Sequence, residues 1–224
     1  MNEKVSYRLA KVIDAKQLAE LHVICGKKQT DSFMPMLGVR FLTAYYKVLL
    51  ATESSVVLLA YRATTNEFLG FHSGSIDAKS TQEAINRAKY YLGFTAATSL
   101  LFKPKILLDV IKRHRALNKE SSDFIVRSGP RGEYWAWKPG AIPAHGAIEI
   151  HKLWHHIMRA LGCKYVRSEV NIDHVRVRKV VTAMGGKVIS QTTDLNNNLR
   201  IIVEYNLLDF CTRFPLMQTS EYKS

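Results

Sequence analysis

The chain has 224 residues, of which 47% are hydrophobic and 23% charged, a composition that indicates a globular protein and excludes disorder over most of its length. A formal net charge of +13 favours an anionic partner, namely a phosphate-bearing small ligand, a nucleic acid or an anionic membrane surface. The first residues lack a secretory pattern, and no apolar run approaches the roughly 20 residues of a membrane span. With three cysteines and no CxxC spacing, a reducing cytoplasmic location is expected.

The first third of the chain predicts a strand, two helices and a β-hairpin. Asp14 followed by Gln17 has the spacing of a capping box, so a helix is predicted to begin there and to end at Gly26. A second helix, with apolar residues at helical spacing, begins near Gly38. Two segments rich in β-forming residues follow, and the polar loop between them predicts a hairpin. The three predicted strands cover residues 5–11, 54–61 and 68–76.

The rest of the chain predicts helices and strands in alternation. A long helical segment broken at Pro104 precedes an aromatic strand that begins at Glu133. The predicted helices cover 81–118, 147–161 and 173–184, and the predicted strands cover 133–138, 165–170, 187–192 and 199–207. This order favours one partly antiparallel sheet with helices on both faces. No linker interrupts it, so we expect a single domain over residues 1–224, with a helical insertion at about 78–128.

Four short segments are similar to those of one enzyme superfamily. They are LGVRFLTAYY at 37–46, GFHSG at 70–74, SEVN at 168–171 and MGGKV at 184–188. Together with the order of elements, they resemble the GNAT superfamily of acyl-CoA N-acyltransferases, and in particular a subset found with bacterial surface-polysaccharide biosynthesis genes. The resemblance implies a mixed α/β (α+β) fold, in which a central, partly antiparallel sheet is flanked by helices. It also places a helical insertion between the third and fourth strands.

The same resemblance implies a binding loop for acyl-CoA, as acetyl-CoA or another acyl-CoA, with no metal. In the superfamily, the fourth strand is followed by Arg/Gln-x-x-Gly-x-Gly/Ala, whose backbone N–H groups approach the pyrophosphate at a helix N-terminus. The corresponding segment, 142–147, has Ile142 in place of the cation and His145 in place of the central glycine, and Pro143 offers no N–H. A plain strand-to-helix turn is the alternative. The implied cofactor-binding residues are Trp137, Ala144, His145, Gly146, Ala147 and Asn171.

Acyl transfer to an amine requires a base for the amine proton and an acid for the leaving thiolate. The resemblance makes Glu133 the candidate base, and a solvated carboxylate at a strand end is the alternative. The tyrosine that serves as acid in many members has no counterpart on the helix after Asn171, where Arg178 to Val181 stand. The implied reaction is direct attack by a primary amine in a ternary complex, and the surface-sugar resemblance makes an amino-sugar nucleotide the leading acceptor.

Other residues have a less specific chemical pattern. His151 and His155 lie four apart on one predicted helix, but no glutamate completes a HExxH motif, so we interpret them as surface or partly packed residues and expect no metal. Trp135 and Trp137 are interpreted as core residues, with an aromatic pocket wall as the alternative. The basic, amphipathic segment 100–113 is expected to cover the sheet, and peripheral contact with an anionic membrane is its alternative.

Two rival functions remain open from the sequence. The departures in segment 142–147 and the missing tyrosine also suit a GNAT-like binding protein that has lost its CoA site and catalyses nothing. The net charge also suits a basic acyltransferase directed at RNA or tRNA, although no aromatic and basic RNA-binding motif is present. The sequence leaves a homodimer open as well.

Overall fold

In the residues described by the computed structural model, 3–26, 34–100, 126–193 and 199–216, seven strands form one sheet. The strands are β1 (Val5–Leu9), β2 (Ser55–Arg62), β3 (Phe68–Ser75), β4 (Arg131–Trp137), β5 (Tyr165–Asn171), β6 (Lys187–Thr193) and β7 (Leu199–Asn206). The helices are α1 (Ala15–Gly26), α2 (Gly38–Leu50), α3 (Ala78–Arg87), α4 (Lys89–Leu100), α5 (Gly146–Ala160), α6 (Val175–Ala183) and α7 (Leu207–Arg213). Two short 3₁₀ turns, Val12–Asp14 and Met34–Leu37, precede α1 and α2.

The sheet order is β1-β2-β3-β4-β5-β7-β6. Every neighbouring pair is antiparallel except β4 and β5, which are parallel. Antiparallel neighbours can be joined by short hairpins, whereas the parallel pair needs the crossover helix α5. The predicted mixed, partly antiparallel sheet is therefore confirmed.

Helices cover both faces of the sheet and bury a separate apolar core on each. On one face, α1 and α2 contribute Leu18, Leu42 and Leu49, all fully buried against β2 and β3. On the other face, α5 contributes Ile150 and Trp154, which pack with residues of β5, α6, β7 and α7. Each such side chain stabilises the fold by about 1.5–3 kcal/mol on burial. The sheet is therefore packed on both faces, and the central strands β3 and β4 lie between the two cores.

The predicted role of Asp14 as the cap of α1 is wrong. Asp14 ends the 3₁₀ turn before the helix, and its carboxylate accepts hydrogen bonds of 2.7 Å from the Lys11 backbone N–H and from Gln17 Nε2. Two further 2.7 Å bonds come from the Arg8 guanidinium. The residue pair was correctly identified, but the capping box belongs to the preceding turn because Lys11, not Asp14, is the cap.

Two helices, α3 and α4, lie between β3 and β4, where the helical insertion was predicted. The first helix of the insertion, α3, begins at Ala78, before the predicted helix start at residue 81, because the Asp77 carboxylate accepts hydrogen bonds from the N–H groups of Lys79 and Ser80. The predicted break at Pro104 and most of the basic segment 100–113 lie outside the described residues. Within the described ranges, no helix is long and apolar enough to cross a membrane.

The helix α7 was not predicted. Residue 207 was assigned to the final strand, but Asn206 accepts hydrogen bonds from the N–H groups of Leu208 and Asp209, at 3.0 and 3.2 Å, and so begins a helix. The apolar residues Leu207 and Phe210 then turn toward α5 and are buried in the second core.

Candidate active site

Strands β4 and β5 are paired at one end and diverge at the other. Their ladder consists of Arg131 opposite Arg167 and Gly132 opposite Ser168. Beyond these two pairs, the described residues of β4 and β5 form no further ladder with each other. The sheet is therefore open between the carboxyl ends of its one parallel pair, where α/β sheets commonly bind ligands.

The divergence begins at a β-bulge that contains Glu133. On the opposite strand, Ser73 pairs with Tyr134 and the next residue, Gly74, pairs with Gly132, so Glu133 is the extra residue. Ser73 compensates for the disrupted ladder, since its Oγ accepts from Tyr134 N–H and donates to Tyr134 C=O, both at 3.1 Å. Because a bulge interrupts the alternation of side chains, Glu133 lies near Tyr46 of α2, whereas Trp135 and Trp137 pack with α5.

Glu133 is buried and paired. Its carboxylate accepts a hydrogen bond of 2.6 Å from Arg131, and the two side chains are 4% and 1% exposed. The guanidinium also donates to the Val126 carbonyl at 3.0 Å, while Val126 N–H donates to Glu169 at 3.0 Å. This chain of polar contacts crosses from β4 to β5 at the divergence. The alternative interpretation of Glu133 as a solvated carboxylate is wrong, because only 4% of its side chain is exposed.

Three rings lie on the α1 and α2 side of β4. His22 Nδ1 and Tyr46 Oη share a hydrogen bond of 2.8 Å, and the imidazole stacks on Tyr134 at a centroid distance of 3.7 Å. Burial lowers the pKa of His22 to about 3. Burial, with smaller contributions from Tyr45, Tyr134 and Glu133, raises the pKa of Tyr46, and burial also raises that of Tyr134. At neutral pH the site therefore presents a neutral imidazole and protonated phenols beside Glu133.

The predicted pyrophosphate loop stands immediately before α5. The N–H groups of Gly146 and Ala147 donate to the carbonyls of Pro143 and Ala144 at 3.2 and 3.3 Å, so they are engaged in turns. The N–H groups of Ala144 and His145 make no hydrogen bond to any described residue. The imidazole of His145, 59% exposed, lies 3.7 Å from Glu149 in the first turn of α5. Of the four predicted loop residues, Ala144 and His145 therefore have available N–H groups, whereas those of Gly146 and Ala147 are engaged.

Trp137 and Asn171, the other two predicted cofactor residues, lie at the carboxyl ends of β4 and β5. The indole of Trp137 packs so closely on Gly146 that a Cβ at that position would collide with the ring. Asn171 Oδ1 accepts from the Asp173 N–H at 3.0 Å and shapes the turn into α6. The structure brings both residues to the open end of the sheet, and their contact with a cofactor stays a prediction.

The interpretation of the helical histidines is wrong in one respect. His151 and His155 are not surface or partly packed residues but are 3% and 0% exposed, and both lie in the core beneath the sheet. Trp135 and Trp137 are part of the same core, as predicted, although Trp137 also reaches the α5 N-terminus. The cysteines are poor nucleophiles, because burial raises the pKa of the thiols of Cys25, Cys163 and Cys211.

Several residues of this site were missed in the sequence. Arg131 had an available signal, since it stands two positions before Glu133 in a strand and residues at that spacing share a face. His22 and Tyr46 had none, because they are 24 residues apart on separate helices and meet Tyr134 only in the folded chain. In α6, Val175–Ala183, the sequence contains no tyrosine that could act as the family's general acid.

No protein-family model matches the sequence, and no curated protein matches it either. Solved structures do match its fold. They include apo FdhC, a nucleotide-linked sugar GNAT, at 12% identity, a TM-score of 0.57 and coverage of 96% of each chain. The PaiA N-acetyltransferase from Thermoplasma acidophilum, in complex with coenzyme A, matches at 11% identity, a TM-score of 0.55 and coverage of 91% of this chain and 99% of that one.

The spermidine/spermine N-acetyltransferase SpeG from Vibrio cholerae, in mutant forms, matches at 9% identity and a TM-score of 0.57, with coverage of 93% of this chain and 97% of that one. Identities at this level carry the fold and not the activity. The chain therefore has the fold of the solved GNAT acetyltransferases, with its strands diverging at the bulge that carries Glu133.

Proposed function

We propose that this protein is an acyl-CoA-dependent N-acyltransferase that transfers an acyl group, in the first instance acetyl, to a primary amine. The observation that carries the proposal is the opening of the sheet between β4 and β5 at a bulge whose extra residue is the buried Glu133. The fold is shared with acetyltransferases, of which PaiA is in complex with coenzyme A.

The residues at the open end of the sheet fit acyl-CoA. The edge of β4 that turns away from β5, from Glu133 to Trp137, offers backbone donors and acceptors to an extended, amide-bearing arm such as pantetheine. The N–H groups of Ala144 and His145, with the positive end of the α5 dipole, suit a pyrophosphate. The carboxylate of Glu149, in the first turn of α5, would repel an anion. It also accepts a hydrogen bond of 3.0 Å from the Tyr7 hydroxyl, which disperses part of its negative charge. We therefore propose Ala144 and His145 as the phosphate site.

When bound, acyl-CoA supplies a thioester carbonyl for attack and a thiolate leaving group. Glu133 receives the proton of the attacking amine, directly or through one water, while Arg131 holds the carboxylate in place. Its position at the start of the divergence puts it beside the open edge of β4. Tyr134, the next residue, keeps its proton because burial raises its pKa, and it is our candidate for the acid that the sequence did not assign.

The acceptor is proposed to enter from the α1 and α2 side. Glu133, His22 and Tyr46 lie on this side, where the imidazole and phenol are buried and hydrogen-bonded to each other. The likeness to FdhC, a nucleotide-linked sugar GNAT, supports an amino-sugar nucleotide as the acceptor class, in agreement with the sequence resemblance.

The cofactor assignment is tested by calorimetry and thermal shift with acetyl-CoA. We expect a single site per chain with a dissociation constant between about 1 μM and 1 mM, the range in which enzymes commonly bind substrates. The variant His145→Asp puts a carboxylate beside the proposed phosphate site and should weaken binding about fivefold or more. Asn86→Asp is the matched control, since it makes the same charge change at an exposed position on α3.

Absence of heat and of a thermal shift at millimolar acetyl-CoA would overturn the cofactor assignment. Equal weakening by His145→Asp and Asn86→Asp would instead show that acetyl-CoA binds away from the α5 N-terminus. Transfer is then tested by release of free CoA thiol with a panel of amino-sugar nucleotides and polyamines.

A binding protein that does not catalyse transfer is the second candidate. The absence of a tyrosine from α6 favours it, since the family's usual acid is missing. The two functions differ in a simple readout. The binding protein shows no acetyl-CoA binding and releases no thiol in the presence of any amine, whereas the transferase binds acetyl-CoA and releases one thiol for each acylated amine.

A further inference from the structure

Three histidines meet in the core beneath the sheet, on the opposite face from Glu133. His72 lies on β3, while His151 and His155 lie one turn apart on α5. They are 3%, 3% and 0% exposed, and one ring nitrogen from each lies within 4.8 Å of the other two. His72 Nε2 and His151 Nδ1 share a hydrogen bond of 3.0 Å between residues 79 positions apart. We call these three residues the histidine cluster.

Each member of the histidine cluster keeps one buried nitrogen without a hydrogen-bond partner among the described residues. These atoms are His72 Nδ1, His151 Nε2 and His155 Nε2. A buried polar atom left unsatisfied costs about 1–3 kcal/mol, and three such atoms in one core are uncommon. A single cation that accepts nitrogen lone pairs could satisfy several of them at once.

The hydrogen bond of His155 favours a metal-binding tautomer. Its Nδ1 lies 2.8 Å from the His151 carbonyl, so that nitrogen carries the proton and donates, and the lone pair resides on Nε2. Metal-ligating histidines commonly donate their second ring N–H to a backbone carbonyl in this way, which fixes the orientation of the ring. His155 is therefore oriented as a ligand would be.

Aromatic rings surround the histidine cluster and separate it from bulk solvent. Trp154 stacks on His72 with a centroid distance of 4.3 Å, and Phe210 of α7 stacks on His155 at 4.6 Å. Burial lowers the pKa of His155 to about 4 and, together with the charge of His155, holds the pKa of His72 and His151 well below its ordinary value. The histidine cluster is therefore enclosed by aromatic side chains of α5 and α7.

We propose that His72, His151 and His155 form a transition-metal site for a borderline divalent ion such as Zn²⁺. Neutral imidazole is a preferred ligand of Zn²⁺, and three histidines with a fourth position for water complete a tetrahedron. Tetrahedral geometry with Zn–N bonds of about 2.0 Å places the nitrogens about 3.3 Å apart, which lies within the 4.8 Å that encloses one nitrogen of each ring. Ligation by all three rings replaces the hydrogen bond between His72 and His151, because its proton occupies one of the two ring nitrogens. The site joins β3 to α5 and is independent of acyl transfer.

The test uses the full chain. The protein is unfolded with a chelator present, freed of metal, and refolded with one equivalent of Co²⁺, because the closed core takes up metal most readily during folding. We expect one Co²⁺ per chain, with the intense visible absorption of a tetrahedral ion, displaced by Zn²⁺. X-ray absorption of the zinc-loaded wild-type protein should show three imidazole ligands, and zinc should raise the thermal midpoint.

Matched variants locate the site. His155→Phe keeps an aromatic ring against Phe210 and should lose the metal, and His151→Gln should lose it as well. His156→Gln is the control, since His156 is next in sequence but its Nε2 contacts the Phe214 carbonyl at 2.7 Å outside the cluster. Wild-type protein that refolds without taking up Co²⁺ would overturn the proposal, and so would a ligand shell without three imidazoles, whether or not the variants fold.

Discussion

Arg131 and Glu133 stand two residues apart on β4 and form an ion pair of 2.6 Å with 1% and 4% of their side chains exposed. Glu133 is also the extra residue of a β-bulge, at the point where β4 leaves β5. A buried carboxylate held by a buried guanidinium has a defined position, and a base needs such a position to meet an incoming amine.

Glu133→Gln keeps the shape and the hydrogen-bond acceptor of the side chain but removes its capacity to take a proton. We expect acyl transfer to fall about 10²–10⁴-fold, the usual contribution of a general base, with acetyl-CoA affinity unchanged within about twofold. Steady-state kinetics and calorimetry on the same preparation measure the two quantities. Glu204→Gln is the control, since Glu204 also pairs with an arginine on the sheet, Arg167 at 2.8 Å, away from the bulge. Retention of full turnover by Glu133→Gln would remove Glu133 from the mechanism.

The close approach of β4 to β5 at Gly132 can be tested by substitution, with the free energy of unfolding as the readout. A Cβ at this position would collide with Ser168 Oγ, so Gly132→Ala should lower the free energy of unfolding by about 1–3 kcal/mol. The double variant Gly132→Ala with Ser168→Ala removes the colliding oxygen and should recover most of the loss. Gly93→Ala on α4, where a Cβ meets nothing within 4 Å, should instead stabilise by about 0.5–1 kcal/mol. Denaturant titrations report all three values, and an unrescued double variant would contradict the proposed collision.

The burial of His22 predicts that the stability of the folded protein depends on pH. Its pKa is about 3 in the folded chain and about 6.5 when unfolded, so between these values the unfolded state binds more protons. The contribution of His22 to stability is present above pH 6.5 and is lost as pH falls toward 3, at up to about 1.4 kcal/mol per pH unit. Tyr46 and Tyr134, which face the imidazole, stay neutral throughout because burial raises their pKa.

The measurement compares wild type with His22→Asn, whose amide can still bond Tyr46. The stability difference between the two proteins should shrink steadily from about pH 7 to about pH 4, because the asparagine does not titrate. Asn86→Ala, which removes no titratable group from an exposed position on α3, should give a curve nearly parallel to that of wild type over the same range. Parallel curves for wild type and His22→Asn would show that His22 is not held neutral by burial.

The order of strands and helices was predictable because its signals are local. Apolar spacing placed α2 and α5, the β-forming runs placed β2 and β3, and Gly26 ended α1, each within a few residues of the structure. The capping assignment at Asp14 and the absence of α7 from the prediction show the limit of these signals, since Arg8 and the second core decided those details.

The site required tertiary structure. Glu133 was identified through family resemblance, but its burial depends on a bulge, which arises from the pairing of β4 with β3 and leaves no mark in the spacing of its residues. His151 and His155 were recognised as a pair, yet their third neighbour, His72, is 79 residues from His151 and joins them only when α5 packs on β3. Sequence determined which elements form, because helix and strand periods are local properties. Packing across the sheet determined which side chains meet, because those contacts join residues that the chain keeps far apart.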